Sequence, residues 1–398
     1  MDTRQVSDVK TGERPKVKRF ETRPPFECIA LLLQGGGALG AYQAGVYEAL
    51  AEANLHPDHI CGISIGAINA ALIAGNPVEK RVERLRQFWD EITGNPTLAF
   101  EGTLAETVAR GDGGRANLNR LAAFAALTQG APGFFTPRFP PPLFSPSGTI
   151  EATSFYDTAP LRETLERLID FDRINSREMR FNVSAVNVRT GNFVYFDNQD
   201  RAIGVEHVIA SGALPPGFPA VEIDGEHYWD GGLVSNTPLQ WLFEREPRLD
   251  SLAFQVDLWS ARGDFPRTMA EVQTRLKEIQ YSSRTRANTE HVSRSQRARN
   301  MVSNLLKELP PQLRDTDEVR AIRAEAEPKV FSIVHLIYHA QNYEGQSKDY
   351  EFSRLAMNEH WRAGYNDTVR TLRHPEALRR PKNSEGVAVF DVSADGKE

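Results

Sequence analysis

A serine with glycines two residues away on either side, Gly62-Ile63-Ser64-Ile65-Gly66, has the spacing of a nucleophile held on a sharp strand-to-helix turn. Gly62 and Gly66 carry no Cβ, so strand and helix can nearly touch there. The amides that open a helix after Ser64 favour a developing negative charge. Upstream, Gly35 to Gly40 reads G-x-G-x-x-G. Such a run lets backbone N–H groups approach a substrate oxygen with no side chain in the way. Beside a serine nucleophile, amides around Gly35, Gly36 and Gly37, joined by that of Ile65, would form an oxyanion hole. Far downstream, Tyr228-Trp229-Asp230-Gly231-Gly232 delivers a carboxylate to a glycine turn.

Each pattern alone has a plainer reading. A dinucleotide fingerprint wants an acid at the end of the next strand, but Ser64 stands there and Asp58 precedes that strand. No G-K-[ST] follows the glycines, which leaves a phosphate loop unsupported. An isolated G-x-S-x-G is as readily a turn with a capping serine. Asp230 by itself is an ordinary turn aspartate. His207, His227, His291, His335, His339, His360 and His374 all follow Ser64, but none lies in a motif that marks a catalytic base.

The elements that must hold these residues are legible around them. Ile29 to Leu33 and Ile60 to Ile63 are short apolar runs of buried strands. Ala38 to Ala53 and Ala67 to Ala74 have helical spacing. Pro77 to Trp89 is a charged helix. Arg110 to Arg115 reads as a glycine-rich break, followed by an apolar helix over Asn117 to Leu127. Gly130 to Gly148 is rich in proline and phenylalanine. It reads as a packed surface loop, with a lid or lipid-facing rim built on Phe134 and Phe135 as the sharper alternative. A helix opens at Asp157 to Pro160, and Arg180 to Val188 alternates as a strand paired with Phe193 to Phe196. A hairpin turning at Asp224-Gly225 carries Asp230. Leu252 to Leu258 and Val330 to Tyr338 are further buried strands. Thr268 to Leu309 is one long helical pattern, and Asp349 to Leu372 a final amphipathic helix.

Taken together and in this order, GGGALG, GISIG and DGG resemble the patatin-like phospholipase family. The resemblance runs from about Phe26 to about Leu242 and includes GAYQAGVYEAL, IASGALPPGFPAV and DGGLVSNTPL. The block after it resembles the C-terminal extension of a bacterial subset of that family. The resemblance implies a three-layer α/β/α sandwich around a mixed, mainly parallel sheet, with a largely helical extension. It implies a Ser64–Asp230 dyad that cleaves acyl esters through an acyl-enzyme without histidine, metal or cofactor. Gly35, Gly36, Gly37 and Ile65 would supply the oxyanion hole. Gly40, Gly62, Gly66, Gly231 and Gly232 are its motif glycines. The substrate would be a lipid or another acyl ester, including a polymeric hydroxyacid ester; a silent lipid-binding protein of the same fold is the rival.

The expected division is an arm over residues 1–25 that is disordered, a catalytic domain over 26–260, an extension over 261–380 and a tail over 381–398. The chain has 398 residues, 25% of them charged, and a net charge of −6, which gives no general affinity for nucleic acid. Cys28 and Cys61 are the only cysteines and suggest buried thiols, not a disulfide framework. The polar N-terminus lacks the apolar core of a cleaved signal, and no apolar run is long enough to span a bilayer. The expectation is a cytoplasmic protein with at most peripheral contact to a membrane. The stripe Arg284, Arg286, Arg294, Arg297 and Arg299 reads as a solvated face before it reads as an anionic-headgroup site.

Overall fold

A computed structural model of the chain describes residues 15–94, 111–244, 246–282, 285–327, 329–383 and 386–391. The N-terminal half begins β1 (Cys28–Leu33), a single 3-10 turn (Gly37–Gly40), α1 (Ala41–Glu52), β2 (His59–Gly62), α2 (Ile65–Ala74) and α3 (Arg81–Ile92). It continues through α4 (Gly111–Gln129), the short strands β3 (Thr136–Pro137) and β4 (Tyr156–Asp157), α5 (Ala159–Leu168) and α6 (Phe171–Asn175). Then come β5 (Arg180–Asn187), β6 (Phe193–Asp197), α7 (Val205–Ser211), β7 (Val221–Ile223), β8 (Glu226–Asp230), α8 (Leu239–Glu244) and β9 (Ser251–Asp257). The C-terminal part holds α9 (Met269–Tyr281), α10 (Thr285–Lys307), α11 (Asp317–Glu325), β10 (Phe331–Ile337), α12 (Arg354–Leu372) and β11 (Val387–Asp391).

Among the described residues one sheet runs β11-β10-β9-β1-β2-β5-β8-β7, with β6 also on β5. The strands from β11 to β5 are parallel, and β6, β7 and β8 pair antiparallel. Side chains of β1 alternate between two buried layers, as the pleat requires. Ile29, Leu31 and Leu33 pack with α1, α2 and α3, whereas Cys28, Ala30 and Leu32 pack with Leu239, Phe243, Val292 and Ile333 on the opposite face. This is the expected three-layer α/β/α arrangement. The extension completes the same sheet through β10 and β11. Its helix α12 lies along α1, with Trp361 Nε1 donating to Glu48 at 2.6 Å and Tyr365 Oη to Glu52 at 2.6 Å.

The path of β5 decides where Asp230 arrives. One edge of β5 carries β6 along residues 182–186. The other edge is shared end to end: β2 pairs residues 180–183 and β8 pairs residues 185–187. Gly62 faces Val183 and Asp230 faces Ala185, so only Ser184 lies between the two partners. The antiparallel β8 therefore points its last residue at the C-terminal end of β2, where Ser64 follows.

Four expectations are corrected. Arg110 itself lies outside the described residues, but Gly111 to Arg115 is not a break; it is the first part of α4, where the terminal N–H groups have no intrahelical partner to lose. The pattern from Thr268 to Leu309 is two helices, parted near Ser282, whose extended ψ of 138° ends α9. The last helix starts at Arg354 under a Ser353 cap, leaving Asp349, Tyr350 and Phe352 outside the helix to line the cavity described below. Residues 15–25, expected to belong to the disordered arm, run extended against the domain, with Phe20 N donating to Ala53 O at 3.0 Å. The rest of the expected arm, the segment 95–110, Arg284 and the tail beyond 391 lie outside the described residues, as does the side chain of Arg286.

Candidate active site

Ser64 follows the end of β2 and caps α2. Its φ is +56°, the left-handed region that a serine enters only under constraint. Two contacts supply the constraint. The Ser64 amide donates to Ser211 O at 3.0 Å and to Ser211 Oγ at 3.1 Å, at the end of α7. A Cβ on Gly62 would lie 2.2 Å from Gly66 O, and one on Gly66 would lie 2.3 Å from Leu33 O. Strand and helix close to this distance only because both residues lack a side chain, which is the requirement read from the motif.

Asp230 is buried and accepts a 2.7 Å hydrogen bond from Gly232 N. Burial raises its pKa to about 7, while the neighbouring Ser64 hydroxyl and the bond from the Gly232 amide pull it back down. The carboxylate is thus more basic than an ordinary aspartate, and it lines the same cavity as Ser64. Among the described residues no histidine lines the cavity that holds this pair.

The glycine run forms the facing wall. Gly35 does not offer a free amide, contrary to expectation: its N–H donates to Asn236 Oδ1 at 3.1 Å. Asn236 Nδ2 returns a bond to Gly35 O at 3.1 Å, so one side-chain amide grips the peptide of Gly35 at both ends. Trp259 Nε1 also donates to Gly35 O, at 3.0 Å. Held this way, the run leaves the amides of Gly36, Gly37 and Ile65 without a protein acceptor among the described residues. All three residues line the cavity. Gly40 has a scaffold role, its carbonyl accepting from Asn69 Nδ2 at 3.0 Å.

The extension takes part in this wall. Tyr281 ends α9, and the last carbonyls of a helix have no partner within it. Tyr281 O accepts from Asn236 Nδ2 at 2.8 Å and from Gln34 Nε2 at 3.2 Å. Asp349 O accepts from Ala38 N at 2.8 Å. Gly37 sits at φ +55°, and a Cβ there would fall 2.0 Å from Asp349 O. These carbonyls fix the loop from outside the catalytic motifs. Asn236 was missed as a site residue although it lies in the DGGLVSNTPL phrase. Its signal was an amide between two hydroxyl residues, Ser235 and Thr237, six positions after the motif aspartate, and its partner stands 201 residues away.

The cavity encloses about 300 Å³ and is mostly apolar. Phe134 and Phe135 are buried in its wall, where they meet Phe218 and Phe352 edge-on or tilted. They are therefore wall residues and not the lipid-facing rim considered from the sequence. The loop's exposed aromatics are Phe139 and Phe144 instead. A second cavity of about 280 Å³, between α8 and α10, contains none of the groups above.

An α/β fold that brings an elbow serine and a buried aspartate into one apolar cavity has the architecture a serine nucleophile needs. The family described as "Patatin-like phospholipase" matches residues 31–242, more than half of the chain, and the chain belongs to that family. A family described as "Patatin phospholipase" matches residues 279–384, most of the extension. Similar curated proteins include triacylglycerol lipase SDP1L of Arabidopsis thaliana, 38% identical over 74 residues, which are 18% of this chain and 9% of that protein. Patatin-like phospholipase domain-containing protein 7 of Rattus norvegicus is 42% identical over 67 residues, 17% of this chain and 5% of that protein. Lysophospholipase nte1 of Aspergillus terreus is 48% identical over 56 residues, 14% of this chain and 4% of that protein. The chain thus spans about a tenth or less of the length of these relatives. Among solved structures, VipD from Legionella pneumophila is similar at 14% identity and a TM-score of 0.39, over 98% of this chain and 77% of that one. Among the described residues no helix is long and apolar enough to cross a membrane.

Proposed function

We propose that the protein is a serine lipid acyl hydrolase that cleaves carboxylic acyl esters through Ser64 and Asp230. One observation carries this reading. Ser64 and the buried Asp230 carboxylate, whose pKa burial raises to about 7, line one apolar cavity that no histidine lines among the described residues.

In the first half-reaction Asp230 accepts the Ser64 proton as Ser64 Oγ attacks the acyl carbon. The amides of Gly36, Gly37 and Ile65 receive the tetrahedral oxyanion, each unencumbered by a competing protein acceptor. Collapse breaks the ester bond, Asp230 returns the proton to the leaving alcohol, and the acyl group stays on Ser64. In the second half Asp230 takes a proton from water, the hydroxide attacks the acyl-enzyme, and the proton goes back to Ser64 as the acid leaves. A carboxylate with a pKa near neutrality suits both directions of transfer. The aromatic and aliphatic wall around Ile68, Phe134, Phe135 and Leu161 fits an acyl chain, and relatives named triacylglycerol lipase and lysophospholipase support a glycerolipid ester.

The test is a fluorophosphonate probe on the full chain, beside Ser64→Ala and Asp230→Asn, with p-nitrophenyl esters of short and long acids. Labelling at Ser64 and ester turnover, both lost in the two variants, are expected. Folded wild-type protein that neither labels nor turns over in the presence of lipid vesicles would instead favour a silent lipid-binding protein.

A further inference from the structure

A surface helix ordinarily turns its apolar stripe to the core and its charges to water. The helix α9 does the reverse. Its inner side is held by polar contacts: Lys277 Nζ to Asp349 Oδ1 at 2.6 Å, Glu278 to Lys348 at 2.7 Å, and Arg275 to the carbonyls of Ser260 and Ala261. None of its residues is buried. Met269, Val272, Leu276 and Ile279 recur at helical spacing on the outer side and are between 40% and 73% exposed. A stripe of this kind on an otherwise well-packed protein marks a contact surface.

What covers the stripe follows from where the helix lies. Lys277 and Tyr281, on the inner side of α9, line the Ser64 cavity. A body resting on the outer side is one helix diameter from the cavity. Other exposed apolar side chains also neighbour cavity residues: Phe124 stands one turn before Leu127, and Phe155 is next to Tyr156. The helix carries two acidic and two basic side chains, Glu271, Glu278, Arg275 and Lys277, and so no net charge. An interface made by apolar area without charge excess does not need anionic headgroups. We propose that the outer face of α9 docks on the surface of a lipid aggregate, zwitterionic as readily as anionic, and so brings the cavity to its substrate. The acyl-ester reading of the cavity supplies the identity of this occupant.

The experiment is co-sedimentation of the full-length protein with phosphatidylcholine vesicles, with and without added phosphatidylglycerol. Ser64→Ala serves as the parent, so that the vesicles stay intact, and is compared with the same protein carrying Leu276→Ser and Ile279→Ser. The expected result is at least an approximately tenfold loss of vesicle binding on both compositions. In the Ser64 background, the two substitutions should leave turnover of a water-soluble short-chain ester unchanged. Undiminished vesicle binding would overturn the proposal, and so would binding that requires phosphatidylglycerol. Loss of self-association by sedimentation, with vesicle binding intact, would assign the face to a second copy of the chain and overturn it as well. Wild-type protein that docks through α9 yet hydrolyses no ester would support the docking and sink the hydrolase reading alone.

Discussion

Two helices border the same cavity and are built in opposite senses. All ten residues of α2, Ile65 to Ala74, are buried, and the helix stands in the middle of the main core. No residue of α9 is buried, and ion pairs and carbonyls hold it. The difference separates two demands on one site. The atoms that react need a frame that does not give, and close packing supplies it. The glycine loop proposed to receive the oxyanion is held instead by directional bonds, to Asn236 and to the carbonyls of Tyr281 and Asp349. The first region is set by volume, the second by hydrogen-bond geometry.

Substitutions can break or sharpen this contrast. The largest effect belongs to the frame: Ser64→Ala should lower kcat by at least about 10⁴-fold, measured on a soluble ester. Residual turnover near wild type would place the nucleophile elsewhere. Asp230 gives a linked pair of outcomes. Only its deprotonated form accepts a proton, so kcat/KM should fall about tenfold per pH unit below about 7. An acid whose folded pKa is raised binds its proton better in the native state. Stability is therefore lost as pH rises between about 4 and about 7, and the loss is constant above that. Asp230→Asn should remove that loss and raise the free energy of denaturant unfolding more at pH 8 than at pH 5, by an amount on the order of a few kcal/mol. A pH-independent difference would mean that the carboxylate is not strained by burial.

On the hydrogen-bonded side, Asn236→Ala should reduce kcat about tenfold to a hundredfold with little change in KM, since it loosens the loop without touching the acyl wall. Asn236→Asp keeps the acceptor for Gly35 N–H but sets a carboxylate oxygen against the carbonyls of Gly35 and Tyr281, so it should fall at least as far as Asn236→Ala. A rise in KM with kcat intact would make Asn236 a binding group only. The smallest effects compare the helices directly. Leu72→Ala in α2 should cost about 2–5 kcal/mol in denaturant unfolding. Leu276→Ala on α9 should stay within about 0.5 kcal/mol. Equal costs would show that α9 is packed after all.

The same contrast explains what could be read from the chain alone. The elbow at Ser64, the strands Ile29 to Leu33 and Ile60 to Ile63, and the hairpin carrying Asp230 are local: their glycines, apolar runs and turn residues act within a few positions. Packing between sequence-near elements then follows the pleat. The grip on Gly35 is not local. It depends on a side chain, Asn236, and two carbonyls, and a carbonyl has no signature in sequence. The split of Thr268 to Leu309 was invisible because its value is the exposed end it gives Tyr281, which matters only beside Asn236 and Gln34. Phe134 and Phe135 misled because phenylalanines in a proline-rich loop look alike whether they face Phe218 or solvent. Gly35 looked like an oxyanion donor because the motif shows that its backbone can approach a ligand, not that its amide is already taken.

The carbonyls of Tyr281 and Asp349 also impose an order of events on synthesis. A ribosome makes this chain from the N-terminus, so Ser64 and Asp230 both emerge before either carbonyl exists. A growing chain can carry the pair, with Asn236 and Trp259 available to Gly35, before either carbonyl is there to complete the support of the loop. Sheet closure shows the same delay, since β9 gains its second neighbour only when β10 is made. Here residues made well after Asp230 supply the carbonyls against which the glycine loop and Asn236 rest.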